Sequence, residues 1–115
     1  MLNPIEIEGL PDERNFNNSI CEFEGKLLMA YRAEDQDNGV LPHIKICELD
    51  ENFKPSRITK IHIEQPTQQT NLFEDPRLFV HNGDLWLSFV AALYTQNHHW
   101  ACQGVTKLDK KFQPT

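Results

Sequence analysis

The segment Phe73-Glu74-Asp75-Pro76-Arg77 brings residue types that could do chemistry into close spacing: two carboxylates, a guanidinium and a rigid proline. Adjacent side chains on a strand point to opposite faces, so Glu74 and Asp75 cannot line one small pocket, whereas Asp75 and Arg77 can share a face. A carboxyl group whose pKa is raised by burial can act as a general acid, and the arginine can hold a substrate oxygen or keep the acid ionised. A structural salt bridge at the start of a strand, with Pro76 stiffening the turn, explains the same residues. The segment alone leaves both interpretations open.

Short runs of β-branched and aromatic residues, each bounded by turn residues, surround this segment and predict an all-β fold. No stretch has the sustained apolar spacing of an amphipathic helix. Glu24-Gly25 and Asn82-Gly83 lie between apolar runs and predict tight hairpins, because such turns require a positive φ. The predicted strands are 19–23, 26–33, 43–49, 58–63, 77–80, 84–92 and 100–107, with an eighth beyond Pro114.

An internal repeat relates the two halves of the chain. Aligning Gly25 with Gly83 matches 23–31 to 81–89 at an offset of 58 residues, and 49–55 matches 108–114 at an offset of 59. Four strands in each repeat of about 50 residues are typical of a propeller blade. We therefore predict a β-propeller type of fold with two four-stranded antiparallel blades, which cannot close into a propeller by themselves. The predicted boundaries are a lead-in at 1–14, a first blade at 15–64, a linker at 65–72 and an incomplete second blade at 73–115.

The repeat places Asn17 at the position equivalent to Asp75. Equivalent positions of successive blades meet near a propeller axis, so polar groups from the inner strands are predicted to converge on one central depression. Arg32 ends an apolar strand with a charge, and it either faces a ligand or marks a solvent-exposed strand end. Trp100 lies next to a loop and is predicted to be a platform for a sugar ring, whereas Trp86 lies inside an apolar strand and is predicted to be core.

The charge and cysteine content exclude several classes of function. Eleven basic and 17 acidic residues give a net charge of −6, so no basic surface is expected for nucleic acid or an anionic membrane. The three cysteines form no C-x-x-C pair, and His98-His99 has no spaced acidic or cysteine partner, so neither disulfides nor a metal site are predicted. The lack of a signal peptide and of a long apolar run favours the reducing cytoplasm. The open apolar face of a terminal blade favours a homo-oligomer.

Three segments together resemble a known family. In order and spacing, Phe16-Asn17-Asn18-Ser19-Ile20, residues 26–33 and Phe73-Glu74-Asp75-Pro76-Arg77-Leu78 resemble the first two blades of the five-bladed propeller glycosidases of the mannoside phosphorylase family, glycoside hydrolase family 130. The likeness covers about 15–114, and the E-D-P-R box is its most specific element. Asn18 departs from the family pattern, in which a small residue or proline is more frequent.

The resemblance implies that Asp75 is the general acid that protonates the glycosidic oxygen of a β-mannoside, in the phosphorylases through a sugar hydroxyl. Asn17 and Arg32 would contact the cleaved mannose, and Arg77 would orient the acid. Inverting transfer of the glycosyl group to phosphate or water is implied, without a cofactor. In that family the groups that hold phosphate or activate water come from later blades, so the isolated chain is expected to be inactive.

Two other classes of protein are compatible with a propeller. Propeller glycosidases that hydrolyse furanosides need an aspartate in the first blade where Asn17 stands, which disfavours them. A non-catalytic propeller that binds carbohydrate or another protein is the second class. Its interaction subclasses usually carry a Trp-Asp dipeptide or a Gly-Gly pair in each repeat, and neither marks these repeats.

Overall fold

Seven antiparallel strands form two sheets. A computed structural model of the chain describes residues 3–64, 72–97 and 99–115. The first sheet has the strand order β1-β2-β3-β4 and the second has the order β5-β6-β7. The strands are β1 Arg14–Phe23, β2 Lys26–Asp35, β3 Val40–Leu49, β4 Pro55–Lys60, β5 Leu72–His81, β6 Asp84–Tyr94 and β7 His99–Lys107. No helix that could span a bilayer is found among the described residues.

The all-β prediction is confirmed, and the two predicted hairpins join β1 to β2 and β5 to β6. The prediction of two four-stranded sheets is wrong for the second sheet, which has three strands. At the position of a fourth strand, Pro114 forms only an isolated bridge with Leu108, and the Thr115 amide donates to the Lys107 carbonyl. The strand predicted at 58–63 begins earlier, at Pro55. The polar linker predicted at 65–72 lies, apart from Leu72, outside the described residues.

The repeat extends to the backbone conformation. Left-handed φ angles are unfavourable for residues with a Cβ, so they rarely recur by chance. They occur here at positions 58 or 59 residues apart, in the pairs Asn17 (53°) and Asp75 (51°), Glu24 (51°) and Asn82 (51°), and Phe53 (60°) and Phe112 (61°). The turn after each third strand also repeats: Asp50 Oδ1 accepts from two backbone amides, and Asp109 Oδ1 does the same. Both halves are therefore built on one template.

The two sheets pack face to face through an apolar core. The first sheet contributes Leu28, Ala30, Ile44 and Ile46, and the second contributes Leu78, Leu85, Leu87, Phe89 and Ala91. Burying these faces supplies the main stabilisation, because a single sheet of three or four strands is marginal in water.

The opposite face of the first sheet is also apolar and is covered by residues 3–13, here called the N-terminal strap. Ile7 and Leu10 of the strap pack against a cluster that includes Met29 and Tyr31. Asp12 fixes the strap: the Tyr31 hydroxyl donates to its Oδ2 at 2.8 Å, and Lys45 Nζ donates to its Oδ1 at 2.5 Å. Burial and this hydrogen bond raise the pKa of Tyr31 well above its ordinary value.

Tyr31→Phe is expected to loosen the strap. Loss of a hydrogen bond to a charged acceptor should lower the free energy of unfolding at pH 7 by about 1–3 kcal/mol. Because the folded-state pKa of Tyr31 is raised, the unfolded chain releases this proton first, and the wild type should lose stability as the pH rises above about 10. The variant should show a shallower loss over that range. Denaturant titrations from pH 7 to 11 measure both effects, and an unchanged alkaline slope would contradict the assignment.

Gly104→Ala is expected to destabilise the second sheet. Gly104 pairs with Phe89 across β6 and β7, and a Cβ at position 104 would lie inside the van der Waals radius of the Phe89 ring. Overpacking of this kind costs about 1–3 kcal/mol. Thermal unfolding of Gly104→Ala, alone and combined with Phe89→Leu, tests the cause. The smaller side chain should recover part of the loss, and additive effects would refute a clash with the ring.

Candidate functional site

Asn17 and Asp75 meet where the inner strands of the two sheets, β1 and β5, lie side by side. Asn17 Nδ2 donates to Asp75 Oδ1 at 2.9 Å, across a separation of 58 residues. Both side chains are solvent-exposed. Positions that are equivalent in the repeat are thus joined directly, as the repeat predicts.

A bulge in each inner strand presents these two residues. The pairing of β1 with β2 shifts between Phe16 and Ser19, and that of β5 with β6 shifts between Glu74 and Arg77. The extra residue at a bulge interrupts the ladder of hydrogen bonds and re-aims the side chains beside it. Pro76, which has no N–H to donate, is well suited to such an interruption. Asn17 and Asp75 take the left-handed conformation there.

The bulge also changes the geometry of the Asp75–Arg77 pair. The prediction that these side chains share a face rests on regular alternation, which a bulge breaks. Arg77 Nη1 donates to the Pro76 carbonyl at 2.7 Å, and within the described part of the chain Arg77 makes no ion pair with Asp75. The proposed role of Arg77 in orienting the acid stays a prediction.

A second contact joins the inner strands beside the first. The Leu78 amide donates to Ser19 Oγ at 3.0 Å, so Ser19 also faces the second sheet. Asn18 instead donates through Nδ2 to Met29 Sδ at 3.4 Å. The residue that departs from the family pattern therefore does not contact Asp75.

Arg32 is held between the two sheets rather than at a solvent-exposed strand end. Its Nη1 lies 3.5 Å from Glu74 Oε2 and its Nη2 lies 3.4 Å from Glu34 Oε2. The guanidinium carbon lies 4.7 Å from the centre of the Phe16 ring, within the range of a cation–π contact. The side chain is 18% exposed, and its Nε is buried without a hydrogen-bond partner among the described residues.

Glu34 and Glu74 were not among the predicted site residues. Glu34 is 2% exposed and is balanced by Arg32 and by Arg14, whose Nη1 lies 3.7 Å from Oε1. The spacing of Arg32 and Glu34 could have indicated a pair, because residues two apart on a strand share a face. No sequence signal links Arg32 with Glu74, since their contact crosses between sheets.

A cleft of about 570 Å³ adjoins Arg32 and Glu74. Its other walls come from the β2–β3 loop and the start of β5, and they include Val40, Leu41 and Leu72. Charged groups on one side and apolar side chains on the other match the two kinds of surface that a sugar ring presents, and the volume is that of a small-ligand site. The open cleft lies next to the pair formed by Asn17 and Asp75.

Trp100 is not brought to this cleft. It pairs with Leu93 on β7, at the edge of the second sheet opposite to β5. Two strand spacings alone separate it from the line of Asp75 by about 10 Å. The role of Trp100 as a sugar platform stays a prediction.

The cysteine environments do not favour a thiolate nucleophile. Burial raises the pKa of Cys47 to about 11 and also raises that of Cys21, the opposite of what activates a thiol. Among the described residues no group of three or more potential metal ligands occurs, and His98 lies outside them. A carboxylate, an amide and a guanidinium are thus the groups that the site offers.

Asn17→Asp is expected to destabilise the contact between the sheets in a pH-dependent way. Two carboxylates at hydrogen-bond distance repel each other when both are ionised, and the exposed pair should cost about 1 kcal/mol at pH 7. The loss should shrink as the pH falls below about 4, where carboxyl groups take up protons. Urea titrations at pH 3.5 and pH 7 measure it, with Asn52→Asp on an exposed turn as the matched control. Equal effects of both variants would contradict a specific junction.

No model of a known protein family matches this chain, and no curated protein matches it either. The functional interpretation therefore depends on the geometry of the site and on the resemblance carried by its motifs.

Proposed function

We propose that this chain forms two blades of a five-bladed β-propeller and supplies the acid-bearing half of the active site of a cytoplasmic enzyme that acts on β-mannosides. The reaction is an inverting transfer of the mannosyl group to inorganic phosphate or water. The observation that carries the proposal is the hydrogen bond of Asn17 with Asp75, the residues that the resemblance assigns to the sugar contact and the acid.

The position of Asp75 is suitable for proton donation. Asn17 engages Oδ1, and among the described residues no donor reaches Oδ2, which leaves one exposed oxygen able to carry a proton to a leaving group. The amide also fixes the plane of the carboxyl group, so the proton would be delivered in one direction. A glycosidic oxygen at hydrogen-bond distance from Oδ2 receives that proton as the bond to the anomeric carbon breaks.

Arg32 is suitable for holding the sugar in the same cleft. Glu34 and Glu74 restrain its guanidinium, which therefore keeps donors directed at the cleft with little loss of side-chain freedom on binding. Its buried Nε has no acceptor among the described residues. A sugar hydroxyl is an acceptor of the kind that this cleft could take.

The nucleophile is not assigned to this chain. In an inverting reaction the attacking phosphate or water approaches from the face opposite the acid, where the family resemblance assigns later blades. The two blades alone are accordingly proposed to bind the sugar but not to turn it over.

The first test is sugar binding by the chain itself. Titration with mannose and β-1,4-mannobiose, followed by amide chemical shifts in ¹H–¹⁵N spectra, should perturb residues near Asn17, Arg32 and Asp75. Asn17→Ala should weaken binding at least about tenfold, the effect of losing about 1.4 kcal/mol. Asn52→Ala, on an exposed turn, is the control. Binding that Asn17→Ala leaves unchanged would refute the assigned site.

The second test is the activity of the longest protein that carries this sequence, assayed with β-1,4-mannobiose and phosphate for release of mannose 1-phosphate. Asp75→Asn should lower kcat about 10²- to 10⁴-fold, the usual contribution of a general acid, while the amide preserves the shape of the side chain. Asp84→Asn, at the hairpin end of the same sheet, should not. Sugar binding without any turnover would favour the alternative of a carbohydrate-binding propeller.

A further inference from the structure

We propose that the outer face of the second sheet binds the same face of a second copy of this chain. This outer face is defined by Phe79, Trp86, Val90 and Val105. The inference concerns assembly and is independent of the proposed function.

The strand register places these four side chains on one side of the sheet. Phe79 pairs with Trp86, and Val105 pairs with Ser88, which lies between Trp86 and Val90 on the same side of β6. The rings of Phe79 and Trp86 stack, with centroids 6.4 Å apart and planes inclined by 14°. Val105 is 57% exposed and Phe79 is 39% exposed. The chain thus leaves a contiguous apolar patch open to solvent.

The repeat indicates what kind of surface covers such a face. Phe79, Trp86 and Val105 are equivalent, at offsets of 58 or 59 residues, to Cys21, Leu28 and Ile46 of the first sheet. Leu28 and Ile46 are buried in the core between the sheets, and Cys21 packs against that core. The equivalent face of the first sheet is therefore covered by an apolar sheet face.

The N-terminal strap decides how a second copy can approach. Head-to-tail stacking would place the outer face of one copy against the Met29 and Tyr31 face of the next. That face is already covered by Ile7 and Leu10, with Asp12 tied to Tyr31 and Lys45. Only the outer faces remain for pairing, and a contact between identical faces is closed, which gives a two-fold dimer rather than a filament.

Charge favours the same arrangement. The chain carries a net charge of −6, so two copies repel each other over most of their surface. The charged side chains in the rows of Ser88 and Trp86 are basic, namely Arg77 and Lys107. Glu74, in the row of Val90, is paired with Arg32. Contact through the outer face therefore joins the least acidic parts of the two copies.

Sedimentation equilibrium of the chain over a range of concentrations tests the proposal. The patch is small, so the dimer should be weak, and the average mass should rise from one chain toward two as the concentration approaches about 1 mM. Val105→Lys should weaken the dimer at least tenfold, because it places like charges across the two-fold axis. Circular dichroism should confirm that this surface variant stays folded.

Ile20→Lys is the matched control. Ile20 is 47% exposed and lies on β1 of the first sheet, so the same change of charge there should leave the dimer intact. A chain that is monomeric at every concentration, or equal weakening by both variants, would overturn the proposal. A longer protein that carries this sequence and stays monomeric while Val105 is protected from solvent would assign the face to another segment, and would also overturn it.

Discussion

Burial of one apolar sheet face against another brings Asn17 and Asp75 within hydrogen-bond distance. Neither sheet has enough strands to be stable alone, and the shared core removes one apolar face of each from water. The inner strands β1 and β5 then lie side by side, and polar groups at their bulges meet. Loosening that core would separate the site residues, because they come from both sheets.

The polar contacts at the site contribute position more than stability. Asn17 to Asp75 and Arg32 to Glu74 each cross from one sheet to the other, but these groups are exposed or partly exposed, where single contacts are weak. Two residues with a left-handed φ cost roughly 1–2 kcal/mol each, which the core must offset. A cost of this kind, repeated at equivalent positions, is typical of a place where the chain must direct a side chain in a way that a regular strand does not allow.

The two faces of the first sheet and the outer face of the second represent three outcomes for one type of surface. A sheet covers one, the N-terminal strap covers another, and solvent reaches the third. The strap uses two apolar side chains and one anchored carboxylate, Asp12, to do what a neighbouring sheet does elsewhere. The protein thus has one capped side and one open side, and the mannoside site lies between the sheets rather than on either of these sides.

The amino-acid sequence by itself determined the strands, the two hairpins and the repeat that makes Asn17 equivalent to Asp75. These features follow from local rules, the alternation of side chains along a strand and the turn preferences of glycine and asparagine, and from similarity at a fixed offset. Only the tertiary structure decided that Arg32 lies between Glu34 and Glu74, that Arg77 donates to the Pro76 carbonyl, and that Trp100 lies on the far edge of its sheet. The first depends on residues far apart in the chain that packing brings together. The second depends on a bulge that interrupts alternation, and the third on the order of strands across a sheet, neither of which a local pattern of residues encodes.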